Sequence, residues 1–194
     1  MMRSISATMF MTLDGVVQGL GRADEDTRGG FTHGGWGAKY NDDVLAGEMG
    51  TGMARAGAML FGRRTWQDFI TAWASATDGN PFTTHLNAAR KYVVSRSLDD
   101  ASAWQNSVLL RGIDDVTGLD GELSVIGSAS LVRCLHAAGL IDHWTLVIHP
   151  LTLGSGARLF DGPAPLTEFS LTSSVTTTKG VIVARYTRIS PARR

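Results

Sequence analysis

The 194-residue chain is 43% hydrophobic and 19% charged, which is typical of a globular protein able to bury a core as one domain. Its 18 basic residues equal its 18 acidic residues, so no overall field attracts nucleic acid or a membrane surface, and neither partner is expected. No apolar signal region precedes the first strand pattern, and no apolar run is long enough to span a bilayer. We therefore expect a cytoplasmic protein.

Strand-like and helix-like segments alternate along the chain, a pattern typical of α/β folds. Repeated crossovers of this kind favour a mainly parallel central sheet with helices on both faces. In chain order the patterns predict strands at 5–13, 58–61, 92–94, 108–110, 123–126 and 144–149. They predict helices at 41–56 and 65–74, a short helix that ends at residue 90, and a further helix that begins at Ser128.

Two further segments, 169–177 and 181–189, alternate apolar and polar residues around a turn at Lys179 and Gly180. They predict a long hairpin that closes the sheet with an antiparallel edge. Because the chain shows no internal repeat and no charge run, residues 1–190 are expected to form a single domain, followed by a C-terminal tail at 191–194.

The segment Ala58–Trp66 is an apolar run that stops at Gly62, where we expect a tight turn, just before a helical pattern begins with Arg63, Arg64 and Thr65. The first turn of a helix offers unpaired backbone N–H groups and a partial positive charge to an anion. An arginine side chain can hold a phosphate by two hydrogen bonds. The stretch therefore predicts a phosphate site, although an ordinary strand-to-helix turn with solvated arginines explains it equally well.

Two other strand ends carry residues of the same kind. Gly127, Ser128 and Ala129 stand between a buried strand and an amphipathic helix, where a pyrophosphate can approach backbone amides. Ser128 would also serve as a simple N-cap. Ser95 and Arg96 follow another predicted strand. Because ligands bind at the carboxyl ends of the strands in an open α/β sheet, these segments together predict an anion-binding edge.

Residues 29–37 are rich in glycine and carry two aromatic side chains, Phe31 and Trp36. Glycines permit unusual backbone angles, and the aromatic rings need a core or a ligand to cover them. We expect either a mobile lid with an aromatic wedge or a surface loop that Trp36 anchors to the body of the protein. The two are not exclusive.

Side chains that commonly bind metals are few and scattered. The five histidines show no ligand spacing, so no metal is expected. The single cysteine, Cys134, falls on the apolar face of a predicted helix and is expected to be a buried structural thiol.

In their order and spacing these motifs resemble the dihydrofolate reductase-like superfamily. The resemblance is to the branch that contains the reductase domain of riboflavin biosynthesis, the C-terminal domain of the deaminase-reductase, and its stand-alone relatives. It implies an NADPH-binding fold without the Rossmann glycine fingerprint. The matching segments span almost the whole chain: Thr12–Gly15, Gly62–Trp66, Lys91–Ser97, Val125–Leu131 and Gly139–Gly156.

The resemblance implies an NADPH-dependent reductase similar to 5-amino-6-(5-phosphoribosylamino)uracil reductase. Such an enzyme passes hydride to a C=N or C=O group of a small heterocyclic or sugar-derived substrate. Arg63 and Arg64 would lie near the adenosine 2′-phosphate, which favours NADPH over NADH. The residues implied to meet the cofactor are Gly62, Arg63, Arg64, Thr65, Ser95, Arg96, Gly127, Ser128 and Ala129.

At the substrate end the resemblance implies Asp14 as the candidate catalytic carboxylate, with Thr12, Gly15 and Trp36 as substrate contacts. Alternatively, Asp14 stabilises its own tight turn. Val16 stands where riboflavin-pathway members commonly have lysine. The phosphorylated substrate of that pathway is therefore not implied.

Two other functions stay open. One is a non-catalytic nucleotide-binding or dimeric structural module of the same fold. The other is a dihydrofolate reductase, which requires Asp42, Asp43 or Glu48 to point into the pocket next to Trp36. Relatives often pair through the sheet edge and the C-terminal strands, so we expect a homodimer formed through the hairpin.

Overall fold

The computed structural model describes residues 3–54 and 57–189. Within them the strands are β1 Ser4–Thr12, β2 Ala58–Gly62, β3 Lys91–Val94, β4 Ser107–Leu110, β5 Glu122–Ile126, β6 His143–His149, β7 Phe169–Thr176 and β8 Ile182–Arg188. The α-helices are α1 Asp43–Ala54, α2 Arg63–Phe69, α3 Pro81–Ala88, α4 Ile113–Thr117 and α5 Ala129–Ala137. Short 3₁₀ turns lie at Arg28–Gly30 and Ala38–Tyr40, and a π-helical turn at Ile70–Ala74 follows α2.

These strands pair in one sheet in the order β4-β3-β2-β5-β1-β6-β8-β7. The pairings of β1 with β5 and β6, of β2 with β3 and β5, and of β3 with β4 are all parallel. In contrast, β8 runs antiparallel to both β6 and β7. The predicted parallel sheet with an antiparallel C-terminal hairpin is therefore confirmed.

Helices cover both faces of the sheet, because alternate residues of each central strand point to opposite sides. In β2, Met59 and Phe61 pack with residues of α2 and α3, whereas Leu60 between them packs with residues of α4 and α5. Leu45 of α1 packs with Val147 of β6. The sequence patterns do not predict α4, which is only five residues long.

The sheet opens where β2 and β5 end. Their ladder stops with Leu60 opposite Val125, after which β2 continues into α2 and β5 into α5. Since these two helices belong to opposite faces, the chain segments diverge at the carboxyl edge, as they do at the ligand crevice of other open α/β sheets. Where the two helices begin, the segments after β2 and β5 remain in contact, and both line a cleft at the carboxyl edge.

The structure corrects two expectations about the helices. Cys134 is exposed, because the buried face of α5 consists of Leu131, Val132 and Leu135. The helix predicted at 65–74 is α-helical only to Phe69 and then widens into the π turn. The last two residues of the helix predicted at 41–56 and the tail predicted at 191–194 lie outside the described residues.

Candidate functional site

A cleft of about 1130 Å³ lies at the carboxyl ends of the parallel strands. Its wall comes from the segments that follow β1 to β5, including the first turns of α2 and α5. The structure brings all the predicted cofactor residues to this one wall, and their part in binding stays a prediction. They are Gly62, Arg63, Arg64, Thr65, Ser95, Arg96, Gly127, Ser128 and Ala129.

The segment after β2 is not the tight turn expected at Gly62. β2 passes directly into α2, and Gly62 is an extended N-cap residue with φ −77° and ψ 154°. A Cβ at this position would come no closer than 3.7 Å to its neighbours, so neither backbone nor packing requires glycine. Since α2 begins at Arg63, the unpaired N–H groups of its first turn lie at the cleft.

The segment after β5 forms a tight turn. Gly127 and Ser128 both have left-handed backbones, with φ of 64° and 51°, and the Gly127 N–H donates to the Thr8 carbonyl at 3.3 Å. The Ser128 hydroxyl does not cap α5. It accepts the N–H of Gly62 at 3.0 Å, while the Ser128 N–H donates to the Thr65 hydroxyl at 3.2 Å. Ser128 therefore occupies the N-cap position without a capping side-chain bond, and its side chain instead joins the two segments to each other.

Ser95 organises the turn after β3. Its hydroxyl accepts the backbone N–H groups of Ser97 and Leu98 at 3.2 and 3.1 Å, so that the turn closes on itself. Arg111, after β4, donates to the Leu98 carbonyl at 2.6 Å and fixes this turn. Arg96 is exposed at the cleft wall. The sequence analysis missed Arg111, because its contact depends on the pairing of β3 with β4.

Charges of opposite sign line different parts of the cleft. The arginines of one part follow β2, β3 and β4 or lie on α5, whereas the carboxylates lie in the loop after β1 and on the second turn of α2. Burial raises the pKa of Asp68, and the neighbouring carboxylate of Glu25 raises it further. The arginines of the first part are Arg63, Arg64, Arg96, Arg111 and Arg133, and the carboxylates are Asp24, Glu25, Asp26 and Asp68. One further arginine of the wall, Arg28, lies among the carboxylates and pairs with Asp26.

Gln18 holds the loop 19–30, which forms the rim of the cleft near these carboxylates. Its side-chain nitrogen donates to the carbonyls of Asp26 and Arg28 at 3.1 and 3.0 Å, and its oxygen accepts the N–H of Ala157 at 3.0 Å. The Arg28 guanidinium bonds to Asp26 and thereby lowers the pKa of that carboxyl. The sequence analysis missed Gln18, since its partner at position 157 is distant in the chain.

Phe31 and Trp36 anchor the same loop to the body of the protein. Trp36 Nε1 donates to the Gln18 carbonyl at 2.7 Å, and its ring meets the His149 ring edge-on at 5.0 Å between centroids. Phe31 packs against Gly156, where a Cβ would come within 2.7 Å of the ring. Neither aromatic residue lines the described wall of the cleft. The structure thus supports the anchored loop, and the substrate contact of Trp36 stays a prediction.

Asp14, Thr12 and Gly15 also lie outside the cleft wall. The Asp14 carboxylate accepts hydrogen bonds from the Thr12 hydroxyl at 2.6 Å and from the backbone N–H groups of Leu153 and Gly154 at 3.2 and 2.9 Å. These bonds, the one from Thr12 above all, lower the pKa of Asp14 to about 2. These contacts match the alternative in which Asp14 stabilises its own turn, and its catalytic role stays a prediction.

Residues 116–183 match the family model of the RibD C-terminal domain. They run from the end of α4 into β8 and include the left-handed turn at Gly127 and most of the antiparallel hairpin. The match covers the C-terminal part of the cleft wall, the segment after β5, together with β6 and most of the hairpin.

The RibD-type fold extends over nearly the whole chain. A protein from Shewanella sp. PV-4, assigned by its name to riboflavin biosynthesis, matches 96% of this chain and 99% of its own with a TM-score of 0.65 and 17% identity. A pyrimidine reductase-like protein from Corynebacterium diphtheriae matches 97% of this chain and 92% of its own, with a TM-score of 0.65 and 12% identity. These likenesses confirm the predicted dihydrofolate reductase-like fold.

A relative of similar length is found in Bacillus subtilis strain 168. The uncharacterized protein YyaP is 25% identical to this chain over 135 residues, which cover 66% of the chain and 72% of YyaP. This likeness adds no activity to the RibD-type fold, because the name of YyaP states none.

The acids that a dihydrofolate reductase would need have other contacts in this chain. Asp42 accepts the N–H of Leu45 at 2.8 Å and so begins α1. Glu48 forms an ion pair with Arg185 at 2.7 Å. Neither of them, nor Asp43, lines the described wall of the cleft. The geometry therefore gives the dihydrofolate reductase alternative no support.

Metal ligands do not gather in the described part of the RibD-type fold. Among residues 3–54 and 57–189, no three His, Cys, Asp or Glu side chains lie close enough together to hold a metal ion. Within the same ranges, the helices are too short or too polar for any of them to traverse a bilayer.

Proposed function

We propose that this protein is an NADPH-dependent reductase that transfers hydride to a C=N or C=O group of a small heterocyclic or sugar-derived substrate. The observation that carries the proposal is the convergence of three separate strand ends, each with anion-binding groups, on one cleft. The RibD C-terminal domain match and the pyrimidine reductase-like fold neighbour support the reductase class.

The cleft has the size and the donors that a dinucleotide needs. Its volume of about 1130 Å³ exceeds the ~300–1,000 Å³ typical of small-molecule pockets. Both α2 and α5 begin at its wall, where Arg63, Arg64 and Arg96 add positive charge. These groups would hold the pyrophosphate and the 2′-phosphate of NADPH.

The polarity of the cleft would orient the cofactor. Its phosphates fit among the arginines, whereas the part nearest β1 offers the apolar side chains of Met9, Phe10, Val17 and Leu20. The uncharged dihydronicotinamide ring fits that apolar surface. NADPH supplies the hydride when bound. The chain itself would place the substrate against the ring and limit the entry of water beneath the loop 19–30.

Titration calorimetry with NADPH and NADH tests the proposal. We expect NADPH to bind, and NADH to bind at least about tenfold more weakly, because it lacks the phosphate that the arginines contact. The double variant Arg63→Ala/Arg64→Ala should lose NADPH affinity by a similar factor. Arg90→Ala, a change at an exposed arginine outside the cleft, is the matched control. Absence of NADPH binding, or equal affinity for the two nucleotides, would contradict the proposal.

One observation favours a second candidate, a non-catalytic NADPH-binding module. The candidate catalytic carboxylate, Asp14, lies outside the cleft wall and is ionised at neutral pH. NADPH oxidation, followed by absorbance with cyclic imines, aldehydes and ribosylaminouracils as acceptors, separates the two candidates. Turnover supports the reductase, and saturable binding of NADPH without turnover on any acceptor supports the module.

A further inference from the structure

A short antiparallel ribbon supports one rim of the cleft. In it, the segment after β1 pairs with a segment beyond β6. The Val17 N–H donates to the Ala157 carbonyl at 2.9 Å, and Val16 bridges to Arg158. Arg133 of α5 donates to the Arg158 carbonyl at 2.7 Å. The ribbon is therefore hydrogen bonded to one of the two helices that begin at the cleft.

Gln18 ends this ribbon, and protein partners occupy its side-chain amide. The amide oxygen accepts the Ala157 N–H at 3.0 Å. The amide nitrogen donates to the carbonyls of Asp26 and Arg28, at 3.1 and 3.0 Å, and lies 3.1 Å from the Asp26 carboxylate. Gln18 borders the cleft but is only 7% exposed. Because both of its N–H groups have acceptors in the loop 19–30, the amide holds the loop and leaves no donor for a ligand.

The same loop is also packed from behind, against the backbone of Gly34. A Cβ at Gly34 would come within 2.3 Å of the Ala23 carbonyl oxygen, so the two segments touch with no room for a side chain between them. The Gly35 N–H donates to the Gly19 carbonyl at 2.7 Å. The loop is therefore fixed at its base, at Ala23 and, through Gln18, near its end.

Movement of the loop away from the cleft would break these contacts together. It would also leave the buried Gln18 amide without its acceptors, which is strongly unfavourable for a buried polar group. Lids that open in every catalytic cycle come instead from segments that few contacts hold. The contacts thus favour a loop that keeps one position.

We propose that Gln18 is a positioning residue that makes the loop 19–30 a fixed wall of the cleft. The wall borders the apolar part beside β1, where the nicotinamide ring of NADPH is proposed to lie, and it shields the ring from solvent. The inference rests on the proposed function, since it takes NADPH as the ligand. The fold then sets the space beside the ring before any acceptor enters, and Gln18 acts through the loop without touching the reacting atoms.

Limited trypsin digestion without cofactor tests whether Gln18 holds the loop. Arg22 and Arg28 are exposed cleavage sites within it. Gln18→Glu removes the amide donors at nearly constant shape, and Gln18→Met removes them without adding charge. Both should raise the rate of cleavage after Arg22 or Arg28 at least about tenfold, because the loop opens more often. Gln105→Glu, at an exposed amide outside the cleft, should change this rate less than about twofold.

Acrylamide quenching of the fluorescence of bound NADPH tests whether the wall shields the ring. Both Gln18 variants should raise the quenching constant at least about twofold, because the ring becomes more open to solvent. The arginines of the cleft hold the phosphates, so the Kd for NADPH should stay within about threefold of the wild type. A residue needed only for stability would lower the Tm and leave the quenching of bound NADPH unchanged. Thermal unfolding checks that every variant is folded.

Gly34→Ala displaces the loop without altering Gln18. Because the added methyl group overlaps the Ala23 carbonyl, it should raise both the cleavage rate in the loop and the quenching of bound NADPH, although Gly34 lies outside the cleft wall. Gly47→Ala on α1 is the matched control, since no atom lies within 4 Å of the added Cβ. It should leave both readouts at the wild-type level.

The outcomes separate the wall from the proposed function. If wild type binds NADPH and the Gln18 variants leave either the quenching or the loop cleavage unchanged, the wall is overturned and the proposed function stands. If Gln18→Glu has both effects and Gln18→Met has neither, the added charge is their cause and the role of Gln18 is overturned. If wild type does not bind NADPH, the proposed function is contradicted. Gln18 is then not a positioning residue for this cofactor, even where its variants loosen the loop.

Discussion

Asp14 joins three segments of the chain through one carboxylate. It bonds to the Thr12 hydroxyl at 2.6 Å and to the Gly154 N–H at 2.9 Å, and it pairs with the Arg158 guanidinium at 3.5 Å. Folding therefore favours the ionised form, and the pKa of Asp14 falls to about 2. At the scale of a single residue, this contact network marks a structural role.

Asp14→Asn should lower the free energy of unfolding at neutral pH by about 1–2 kcal/mol, because an amide replaces charge-assisted hydrogen bonds with weaker ones. The folded pKa of about 2 lies below the ordinary value of 3.8. The stability that Asp14 contributes is therefore complete above pH 3.8 and is lost as the pH falls toward 2. Urea unfolding at neutral pH and at about pH 3 should show the difference between wild type and variant shrinking in acid.

Asp161→Asn is the control for this prediction, since Asp161 is exposed and has no hydrogen bond or ion pair among the described residues. It should leave stability unchanged at both pH values. Asp14→Asn should also keep the NADPH affinity of the wild type. A large loss of that affinity, with stability unchanged, would instead place Asp14 at the cofactor.

The position of a residue in the fold could be predicted where its neighbours in the chain determine it. Gly62, Arg63 and Arg64 follow a buried strand directly, so the sequence indicates their place at the carboxyl edge. The turn role of Asp14 was one of two sequence-based alternatives, because its partner Thr12 is adjacent in the chain. The long-range contacts of Gln18 and Asp14 could not be predicted, because their partners Ala157 and Gly154 lie 139 and 140 positions away. Only the folded sheet brings such groups together.

Lys91 holds together three elements at the start of β3. Its buried ammonium donates to the carbonyls of Asn87, Ala89 and Gln105 at 3.3, 2.9 and 3.0 Å, and it lies 4.6 Å from the centroid of the Trp104 ring. Burial lowers the pKa of Lys91 to about 8, which still leaves it charged at neutral pH. The side chain thus ties the end of α3 to the starts of β3 and β4.

Lys91→Met should lower the free energy of unfolding by about 2 kcal/mol, because it keeps most of the side-chain volume but removes the Lys91 donor from the carbonyls of Ala89 and Gln105. The Asn87 carbonyl still accepts from the side-chain amides of Gln105 and Asn106. Chemical denaturation measures the change. Arg90→Met, at the exposed neighbouring position, should change stability by less than about 0.5 kcal/mol. Equal effects of the two substitutions would contradict this account of Lys91.

We propose that the protein forms a homodimer through β7, the edge strand of the sheet. Such an edge presents unpaired backbone groups, and the Leu171 side chain on it is 55% exposed. Light scattering should give the mass of a dimer for the wild type and of a monomer for Leu171→Lys. Leu166→Lys, at a loop residue that is 96% exposed, should remain dimeric. A monomeric wild type would refute the proposed homodimer.

The strands and long helices could be predicted because their periodicity is local and strong. The predicted strand at 58–61 differs from β2 by one residue at its end. In contrast, α4 is five residues long, too short for a helical period to show. The π turn after Phe69 could not be predicted either, since the helical pattern continues through it and only its packing widens the turn.

At the scale of the whole molecule, the formal net charge is zero. In the cleft, however, most arginines and most carboxylates lie in different parts of the wall. If the phosphates bind among the arginines, the nicotinamide ring lies near Asp24, Glu25 and Asp68. Arg22 and Arg28 pair with Asp24 and Asp26 in the same loop, so the four carboxylates of this part exceed its arginines by two. The remaining negative charge attracts small cations and repels small anions. Relative to free NADPH, the fluorescence of bound NADPH should therefore be quenched more by caesium than by iodide.

The variant Asp24→Asn/Glu25→Gln/Asp68→Asn should remove the difference between the two ions, while uncharged acrylamide should quench wild type and variant alike. Stronger quenching by iodide in the wild type would show that the ring lies on the arginine side. The cofactor orientation proposed here would then be reversed.

Amide hydrogen exchange with and without saturating NADPH tests most directly whether three strand ends form one cofactor site. We predict slower exchange in the segments 62–66, 95–98 and 127–131 together, because a single dinucleotide contacts all of them, and unchanged exchange in β7. Unaltered exchange in these three segments would contradict the central claim. So would protection confined to the smaller groove beside Trp66, Leu98 and Ser102.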